Sequence, residues 1–215
     1  MIINDISSFD EKSVEEAVKN NEEIAFDKKV VVLASASKSR REIMEDAKIP
    51  FVVIKNTLDE SRIKCDIKSL EDAKDYVKKL AYEKAMTVVP LVKNAVIISA
   101  DTIAYCEGEK LGKPKDRLDA YRILNKLSNT THDVITGVCI ADGENIDNFT
   151  VTSKITIKEI SKEKIEEMVN DKNTYLYAGG YNIDDNLEGL ASFDDKDFNN
   201  IKGLPIEEIM PKINL

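Results

Sequence analysis

Serine, lysine and arginine side chains are concentrated in one short segment, LASASKSRRE at positions 33–42. The apolar run 30–34 is typical of a buried strand, and the residues that follow have a helical pattern. Cations are normally disfavoured in a first helical turn, because its N–H groups already carry partial positive charge. Arg40 and Arg41 in that turn therefore indicate a bound anion, held together with the serine hydroxyls. By helical periodicity Arg40 lines up with the apolar face, so it is expected to point inward or into the edge of a cleft. The alternative interpretation is serine capping with two surface arginines.

A lysine and an aspartate stand where apolar residues are expected. Lys84 falls on the inward-facing stripe of a predicted helix over 69–89. A lysine there must snorkel, pair with a carboxylate or meet a ligand. Asp101, in SADT at 99–102, follows an apolar strand, and a buried acid is costly unless it is paired, hydrated or bound to a metal. Capping of the following turn is the alternative role for Asp101.

Further charged residues complete this set. Lys113 and Lys115 flank a proline just before a predicted helix, which suits a phosphate but is also common in ordinary turns. Asp59 and Glu60 offer carboxylates for a hard cation such as Mg²⁺ or Mn²⁺. With Asp101, these groups are the equipment for metal-assisted attack of water on a phosphoanhydride. The sequence contains neither GxxxxGK[ST] nor GxGxxG, so P-loop NTPases and Rossmann enzymes do not fit.

The composition argues against several other classes of protein. The 215 residues are 42% hydrophobic and carry a net charge of −9, as expected for a globular chain and not for a nucleic-acid binder. The acidity is concentrated in 1–28 and 184–208, so the part between them is nearly neutral and has room for an anionic ligand. The apolar runs are too short to span a membrane, and no signal-peptide pattern is present, so a cytoplasmic location is expected.

Cysteine and histidine limit the metal chemistry. The three cysteines are widely spaced and form no CxxC pair, which is typical of reduced thiols and argues against a thiolate zinc site. His132 is the single histidine, so multi-histidine metal centres are ruled out, and a structural role is expected for it. Acid–base and metal chemistry must then rest on carboxylates, lysines and water.

The elements that position these side chains alternate between strands and helices. In chain order the pattern predicts a strand over 30–34, a helix over 39–48, a strand over 51–54, a helix over 69–89, a strand pair or strand plus turn over 95–106, a helix over 116–127, a hairpin over 133–141 and 149–158, and a helix over 161–170. Ser39 with Glu42 forms the predicted capping box of the first helix. The alternation followed by a hairpin predicts a mixed α/β fold.

Residues 1–28 are predicted to form an acidic, weakly amphipathic helical extension, interpreted as a solvated appendage. Residues 29–215 are predicted to form the main domain. No internal repeat or low-complexity linker divides it.

Ordered motifs along the chain resemble those of the Maf family of nucleotide pyrophosphatases. The segment 33–42 resembles the family's opening motif LASASPRRxE. The further motifs are DES at 59–61, YEKA at 82–85, SADT at 99–102, GKPKD with DA within 112–120, His132 with TGV at 136–138, AGGY at 178–181 and GLP at 203–205. Their order and spacing hold over about 30–210, which makes the resemblance far more specific than any single motif.

The resemblance implies a house-cleaning enzyme that hydrolyses nucleoside triphosphates to monophosphate and pyrophosphate with Mg²⁺ or Mn²⁺. It implies a mixed, twisted sheet with flanking helices, in two lobes around a central cleft. Family members are associated with septum formation and often dimerise, so a homodimer is compatible with the resemblance. Carried over by position, the catalytic residues are Asp101, Lys84 and Lys113, the metal ligands are Glu60 and Asp101, and the substrate-binding residues are Ser37, Arg40, Arg41, Lys115, Thr136 and Asp184. Asp101 would orient or deprotonate the attacking water.

The chain departs from the family pattern at two places. Lys38-Ser39 replaces the usual Pro-Arg, and YNIDD at 181–185 replaces the YGIQG of the thymidine/uridine-preferring branch, so that Asp184 stands in place of an amide. EGL at 188–190 resembles, at an offset, a segment of the branch linked to 7-methylguanosine triphosphate and cytidine nucleotides. Base preference therefore stays open. The departures also motivate an alternative function, a non-catalytic nucleotide-binding regulator of cell division.

Overall fold

The computed structural model describes residues 2–3, 10–184, 187, 189–194, 196 and 198–213. The strands are Ile2–Ile3 (β1), Ile24–Leu33 (β2), Phe51–Val53 (β3), Val92–Cys106 (β4), Glu109–Leu111 (β5), Thr130–Asp142 (β6), Asn145–Ile157 (β7) and Ala191–Ser192 (β8). The α-helices are Glu11–Lys19 (α1), Lys38–Asp46 (α2), Leu70–Met86 (α3), Arg117–Leu127 (α4), Lys162–Asn170 (α5), Phe198–Ile201 (α6) and Ile206–Ile209 (α7). Short 3-10 helices cover Glu60–Arg62, Val89–Leu91, Lys172–Leu176, Ala178–Gly180 and Met210–Lys212. Within these described ranges, no helix has the length and apolar character needed to cross a membrane.

The strands of the described residues form one mixed sheet in the order β1-β2-β4-β6-β7-β8, with β3 paired to β2 and β5 paired to β4. β2 is parallel to β1, β3 and β4, whereas β4 pairs antiparallel with β5 and β6, and β7 pairs antiparallel with β6 and β8. Successive side chains of a strand point to opposite faces. Accordingly, Val30 and Val32 pack in a cluster with α1 and α3, whereas Val31 and Leu33 pack with α2. The predicted mixed sheet with flanking helices is confirmed.

The segment before residue 30 is part of the packed fold. β1 pairs with the start of β2, and Val14 and Ala17 of α1 are buried in an apolar cluster that includes residues of the central strands. The predicted solvated appendage is therefore wrong, because burial of these side chains fixes the helix to the sheet. β2 begins at Ile24 and not at 30, and its apolar pattern is interrupted by the exposed charged residues 27–29.

Two other predicted boundaries differ in ways that affect the site. α2 begins after Ser37, whose hydroxyl accepts a backbone N–H, so Ser37 and not Ser39 is its N-cap. The segment 95–106, predicted as a strand pair or a strand plus turn, lies within the single long strand β4. Asp101 therefore lies inside a strand and not at the end of one. The other predicted helices and the β6–β7 hairpin are confirmed, with shifts of a few residues at their ends.

Apolar clusters divide the core on either side of the middle of β4. Residues of β4 up to Ala100 pack with β2, α2 and α7, whereas Ala104 and Cys106 pack with α4, α5 and the β6–β7 hairpin. Asp101 and Thr102 stand between these two groups of apolar residues, at their junction.

Helix α3 lies close to the sheet at Gly137 of β6. A Cβ atom at this position would lie 2.3 Å from the carbonyl carbon and oxygen of Val77, so a side chain does not fit here. Gly137 is also the residue that pairs with Asp101 in the β4–β6 register. The close approach therefore lies next to Asp101, against the helix that carries Lys84.

Candidate active site

Lys84 joins two carboxylates at the junction. Its side chain is 8% exposed, and its Nζ lies 2.5 Å from Asp101 Oδ1 and 2.8 Å from Glu60 Oε1. Of the roles considered for a lysine on the inner face of a helix, pairing with carboxylates is the one observed, and it offsets the cost of burying the ammonium. An ammonium has three N–H donors, so one is left for a ligand after these two contacts.

Glu60 and its neighbour Asp59 have different roles. Asp59 accepts hydrogen bonds from the hydroxyl and backbone N–H of Ser61 at 2.6 and 3.2 Å, and these bonds lower the pKa of its carboxyl. Asp59 also pairs with Arg62 at 3.0 Å. It thereby stabilises the 3-10 turn that presents Glu60 to Lys84. Of the predicted carboxylate pair, Glu60 is the member that reaches the site.

The carboxylates of Asp101 and Glu60 fit a divalent-cation site. Both already contact one positive charge, the Lys84 ammonium, so the pair is placed to surround a shared cation. Mg²⁺ is commonly bound through one or two carboxylates, with phosphate oxygens and water as the other ligands. The described residues hold no cluster of three or more His, Cys, Asp or Glu side chains suited to a metal. An ion here would therefore take further oxygens from a bound phosphate.

Arg40 is held by three acceptors at the start of α2. Its Nε donates to the Gly203 carbonyl at 2.7 Å, its Nη2 to Thr102 Oγ1 at 3.1 Å, and its Nη1 to Ser35 Oγ at 3.3 Å. Burial lowers the pKa of the guanidinium, and the carboxylates of the Lys84 cluster oppose that shift. An arginine nevertheless stays protonated in proteins. The prediction that Arg40 points inward is confirmed.

The turn before α2 is built from serine hydroxyls. Ser37 Oγ accepts the backbone N–H of Arg40 at 3.4 Å, and the Ser37 N–H donates to Ser35 Oγ at 3.2 Å. Asn56 supports the same turn, since its Nδ2 donates to the Ala34 carbonyl at 2.9 Å. As a capping acceptor, the Ser37 hydroxyl keeps its own proton available for an anion at the helix N-terminus.

Arg41 is directed away from Arg40. Its Nη2 lies 2.9 Å from Glu11 Oε1 of α1, and its side chain is 40% exposed. Adjacent residues of an α-helix point in directions about 100° apart, which explains the different environments of the two arginines. The structure therefore does not bring Arg41 into the Arg40 cluster. The Glu11 contact was missed because α1 was interpreted as solvated.

Lys113 and Lys115 lie on the loop between β5 and α4, and both are exposed. β5 ends opposite Ala104 of β4, so this loop leaves the sheet beside the junction. The Gly112 carbonyl accepts the Gly179 N–H at 3.1 Å, which ties the loop to the C-terminal part of the chain. Within the described residues, neither ammonium makes a hydrogen bond or ion pair, so both lysines are available to an anion.

Thr136 is fully buried, and its hydroxyl is used inside the protein. Its Oγ1 lies 3.0 Å from Thr102 Oγ1 and donates to the Asn200 carbonyl at 3.2 Å. Asn200 of α6 is buried as well, with its Nδ2 donating to Ser153 Oγ at 2.8 Å. Sequence reasoning missed Asn200, because one buried polar residue in a segment without periodicity gives no recognisable signal.

Asp184 is exposed and pairs with Lys202 at 2.9 Å. Its neighbours Asp185 and Glu188 lie outside the described residues. Lys202 Nζ lies 5.1 Å from the centre of the Phe198 ring, so the ion pair connects the segment after Tyr181 to α6.

Tyr181 precedes that segment and is anchored by a buried hydrogen bond. Its hydroxyl lies 2.7 Å from His132 Nε2. Burial lowers the pKa of His132 to about 4 and raises the pKa of Tyr181, so both side chains are neutral at neutral pH. His132 Nδ1 has no hydrogen-bond partner among the described residues. The structural role predicted for His132 is confirmed.

Comparison with known proteins identifies the family. The family model described as Maf-like protein matches residues 30–214. The chain belongs to the Maf family. Among curated relatives, the dTTP/UTP pyrophosphatase of Thermosipho africanus (strain TCF52B) is 36% identical over 179 residues, which are 83% of this chain and 89% of the relative. The dTTP/UTP pyrophosphatase of Acholeplasma laidlawii (strain PG-8A) is 33% identical over 184 residues, with 86% and 95% coverage. That of Clostridioides difficile (strain 630) is 36% identical over 182 residues, with 83% and 91% coverage.

In this Maf protein the predicted site residues have four kinds of environment. Asp101, Glu60, Lys84 and Arg40 form one cluster at the junction, with Ser37 at the adjoining helix N-terminus. The exposed residues are Lys113, Lys115 and Asp184. Thr136 lies beneath the cluster, and Arg41 lies outside it.

Proposed function

We propose that this Maf protein hydrolyses nucleoside triphosphates to nucleoside monophosphate and pyrophosphate. The observation that carries the proposal is the contact of Lys84 with Asp101 and Glu60 beside Arg40, which places carboxylates and cations around one point. The names of the relatives, dTTP/UTP pyrophosphatases, support the same reaction. The chain spans most of the length of each of these relatives, so the whole reaction is the appropriate comparison.

In the proposed reaction, Arg40, the Ser37 hydroxyl and the N-terminus of α2 bind the triphosphate, with Lys113 and Lys115 approaching from the exposed side. Charge-assisted donors of this kind are suited to phosphate oxygens. Lys84 uses its remaining N–H to bind the anion, so that it links the substrate to Asp101. Negative charge that develops on the phosphate oxygens is then stabilised by donors already in place.

Asp101 acts on the attacking water. One of its oxygens is engaged by Lys84, which leaves the other to accept a proton from water. The water oxygen forms a bond to the α phosphorus. The phosphoanhydride bond between the α and β phosphates breaks, and pyrophosphate leaves with the electron pair of that bond. No histidine is required, and the single histidine is used to hold Tyr181.

Glu60 and Asp101 would hold a divalent cation, for which we propose Mg²⁺ or Mn²⁺. The ion, when bound, would neutralise charge on the triphosphate and polarise its phosphoryl oxygens. The oxygen-only donor set and the need for ligands from phosphate both favour such a hard cation.

The base is recognised, we propose, by the segment that begins at Tyr181 and contains Asp184. Thymidine and uridine triphosphates are the first substrates to test, because the relatives are named for them. Asp184 offers acceptor oxygens, which would favour a base with an exocyclic amino group, such as cytosine. The two expectations differ, so base preference must be measured.

The test is a panel of NTPs and dNTPs incubated with the purified full chain and Mg²⁺ or Mn²⁺, with product separation by ion-exchange chromatography. We expect nucleoside monophosphate and pyrophosphate in equal amounts. Release of diphosphate and phosphate, or no turnover of any nucleotide, would contradict the proposal. Tight nucleotide binding without turnover would instead support the non-catalytic regulator of cell division, which the departures from the family pattern motivated.

The proposal also includes a cellular location and an oligomeric state. A cytoplasmic location is consistent with a free-nucleotide substrate, and the net charge of −9 disfavours binding to nucleic acid. A homodimer is also proposed, and light scattering after size-exclusion chromatography would detect it as twice the chain mass of 24.1 kDa.

A further inference from the structure

Two threonine hydroxyls connect Arg40 to the C-terminal part of the chain. Thr102 and Thr136 face each other across β4 and β6, with their Oγ1 atoms 3.0 Å apart. Thr102 Oγ1 accepts from Arg40 Nη2 at 3.1 Å, and Thr136 Oγ1 lies 3.2 Å from the Asn200 carbonyl. The hydroxyls therefore form a continuous chain from the guanidinium to α6.

The donor and the acceptor in each of these hydrogen bonds can be assigned by counting hydroxyl protons. The Asn200 carbonyl has no proton, so the Thr136 hydroxyl must donate to it. A hydroxyl has one proton, so the contact between the two threonines requires Thr102 to donate to Thr136. Thr102 then uses its lone pair as the acceptor for Arg40, which matches the donor role of a guanidinium. The Gly203 carbonyl, 3.4 Å from Thr102 Oγ1, is a second and more distant acceptor for the same Thr102 proton, so the proton is assigned to the shorter contact with Thr136 at 3.0 Å.

The far end of this series of hydrogen bonds, Asn200, is buried and anchored to the sheet. Asn200 is 2% exposed, and its side chain donates to Ser153 Oγ of β7 at 2.8 Å. Three residues later, the Gly203 carbonyl accepts the Nε–H of Arg40 at 2.7 Å. The segment 200–203 thus contacts Arg40 twice, once directly and once through the two hydroxyls.

We propose that Thr102 and Thr136 are positioning residues, which orient the Arg40 guanidinium toward the triphosphate by linking it to the segment 200–203. The proposal rests on the proposed function for its kinetic readout. Thr136 is fully buried and has no surface for a substrate, so it acts through Arg40. If the guanidinium is already oriented before the substrate arrives, less side-chain rotamer entropy is lost on binding.

Thr136→Val tests the proposal, because it keeps the shape of the side chain and removes the hydroxyl. We expect the KM for the preferred triphosphate to rise about 5-fold, the range expected for one hydrogen bond, with kcat changed less than about 2-fold. Thr136→Ser restores the hydroxyl, and its KM should return to within about 2-fold of wild type. If the valine variant does not fold, Thr102→Val at a half-buried position carries the same prediction.

A matched control is available on the same strand. Thr131 of β6 pairs through its Oγ1 with Thr156 Oγ1 of β7 at 2.8 Å, at an exposed position without a connection to Arg40. Thr131→Val should leave KM unchanged. A wild-type KM in folded Thr136→Val, or an equal rise in Thr136→Ser, would overturn the proposal. So would an undiminished effect of Thr136→Val in an Arg40→Lys background, because the two residues would then act independently.

A second measurement does not depend on turnover. The chain has five arginines, so the Nε–H signals of a ¹⁵N spectrum are few and Arg40 can be assigned by its substitution. We expect the exchange of the Arg40 Nε–H with solvent to be about 10-fold faster in Thr136→Val than in wild type. Unchanged exchange would overturn the positioning role. Absence of triphosphate hydrolysis by the wild type would contradict the proposed function and leave this readout unaffected.

Discussion

The charged groups in the interior of the site differ from those at its rim in how they are held. In the interior, Lys84 contacts two carboxylates and Arg40 donates to three acceptors, so each buried charge is compensated by the protein itself. At the rim, Lys113 and Lys115 are exposed, and within the described ranges their ammonium groups have no such contacts. Burial requires pairing before a ligand arrives, whereas an exposed charge is stabilised by water.

From this difference we infer which kinetic parameter each group affects. Among the interior groups, Lys84 and Asp101 act where charge develops during the reaction, so they should affect kcat, whereas Arg40 binds the triphosphate and should affect KM. Rim groups are screened by solvent and salt and attract the substrate before reaction, so they should affect KM and its salt dependence.

The largest expected effect is that of Asp101→Asn. The amide cannot accept a proton from water, and it leaves the buried Lys84 ammonium with one carboxylate partner. We expect kcat to fall about 100-fold or more, within the range for loss of a general base. Steady-state pyrophosphate release measures it. Wild-type kcat in this variant would remove Asp101 from the mechanism.

Asp133→Asn is the control for that variant. Asp133 is also a strand acid paired with a lysine, Lys154 at 2.8 Å, but it lies outside the candidate site. Its kcat should match wild type. Thermal unfolding of both variants would separate a lost proton acceptor from a general loss of stability.

Lys113→Met is expected to have an intermediate effect at the rim. The methionine keeps most of the side-chain volume and removes the charge, so KM should rise about 10-fold while kcat changes less than about 3-fold. The dependence of KM on KCl concentration should also weaken. KM and kcat measured between 50 and about 500 mM KCl test this. A dominant fall in kcat would instead give Lys113 a role like that of Lys84 and Asp101.

Arg41→Met should have the smallest effect. Its guanidinium pairs with Glu11 at a partly exposed position, where an ion pair contributes about 0–1 kcal/mol. We expect KM to change less than about 3-fold, with a small decrease in the midpoint of thermal unfolding. Glu11→Gln, which removes the partner, is the matched variant. A large rise in KM for Arg41→Met alone would return Arg41 to the substrate-binding residues.

The sequence predicted the interior better than the rim, for physical reasons. A lysine on an apolar helical stripe and an aspartate in an apolar strand contradict their surroundings, and burial leaves such residues few roles other than pairing or binding. Asp101 and Glu60 were predicted as carboxylates of the same site, but the sequence did not show that both contact Lys84. Arg40 was predicted to point inward from helical periodicity alone.

The features that the sequence did not predict are mainly contacts between segments that are distant along the chain. Asn200 and the Gly203 carbonyl reach the site through chain topology, for which a local pattern has no signal. The acidic composition of 1–28 concealed the buried face of α1, since two small apolar residues, Val14 and Ala17, make the packing contact. Ser39 with Glu42 fits the capping-box pattern, but the helix starts after Ser37, and the sequence pattern does not show where the first turn begins.

Gly137 limits which amino-acid substitutions this protein can accept. Helix α3 and strand β6 touch there through their backbones, and a backbone contact cannot be adjusted by changing a rotamer. The distance between helix and sheet beside Asp101 is thus insensitive to substitutions among the surrounding apolar side chains. Substitutions among those apolar residues should therefore leave the separation of Lys84 and Asp101 unchanged. A side chain at Gly137, in contrast, would push α3 away from the sheet.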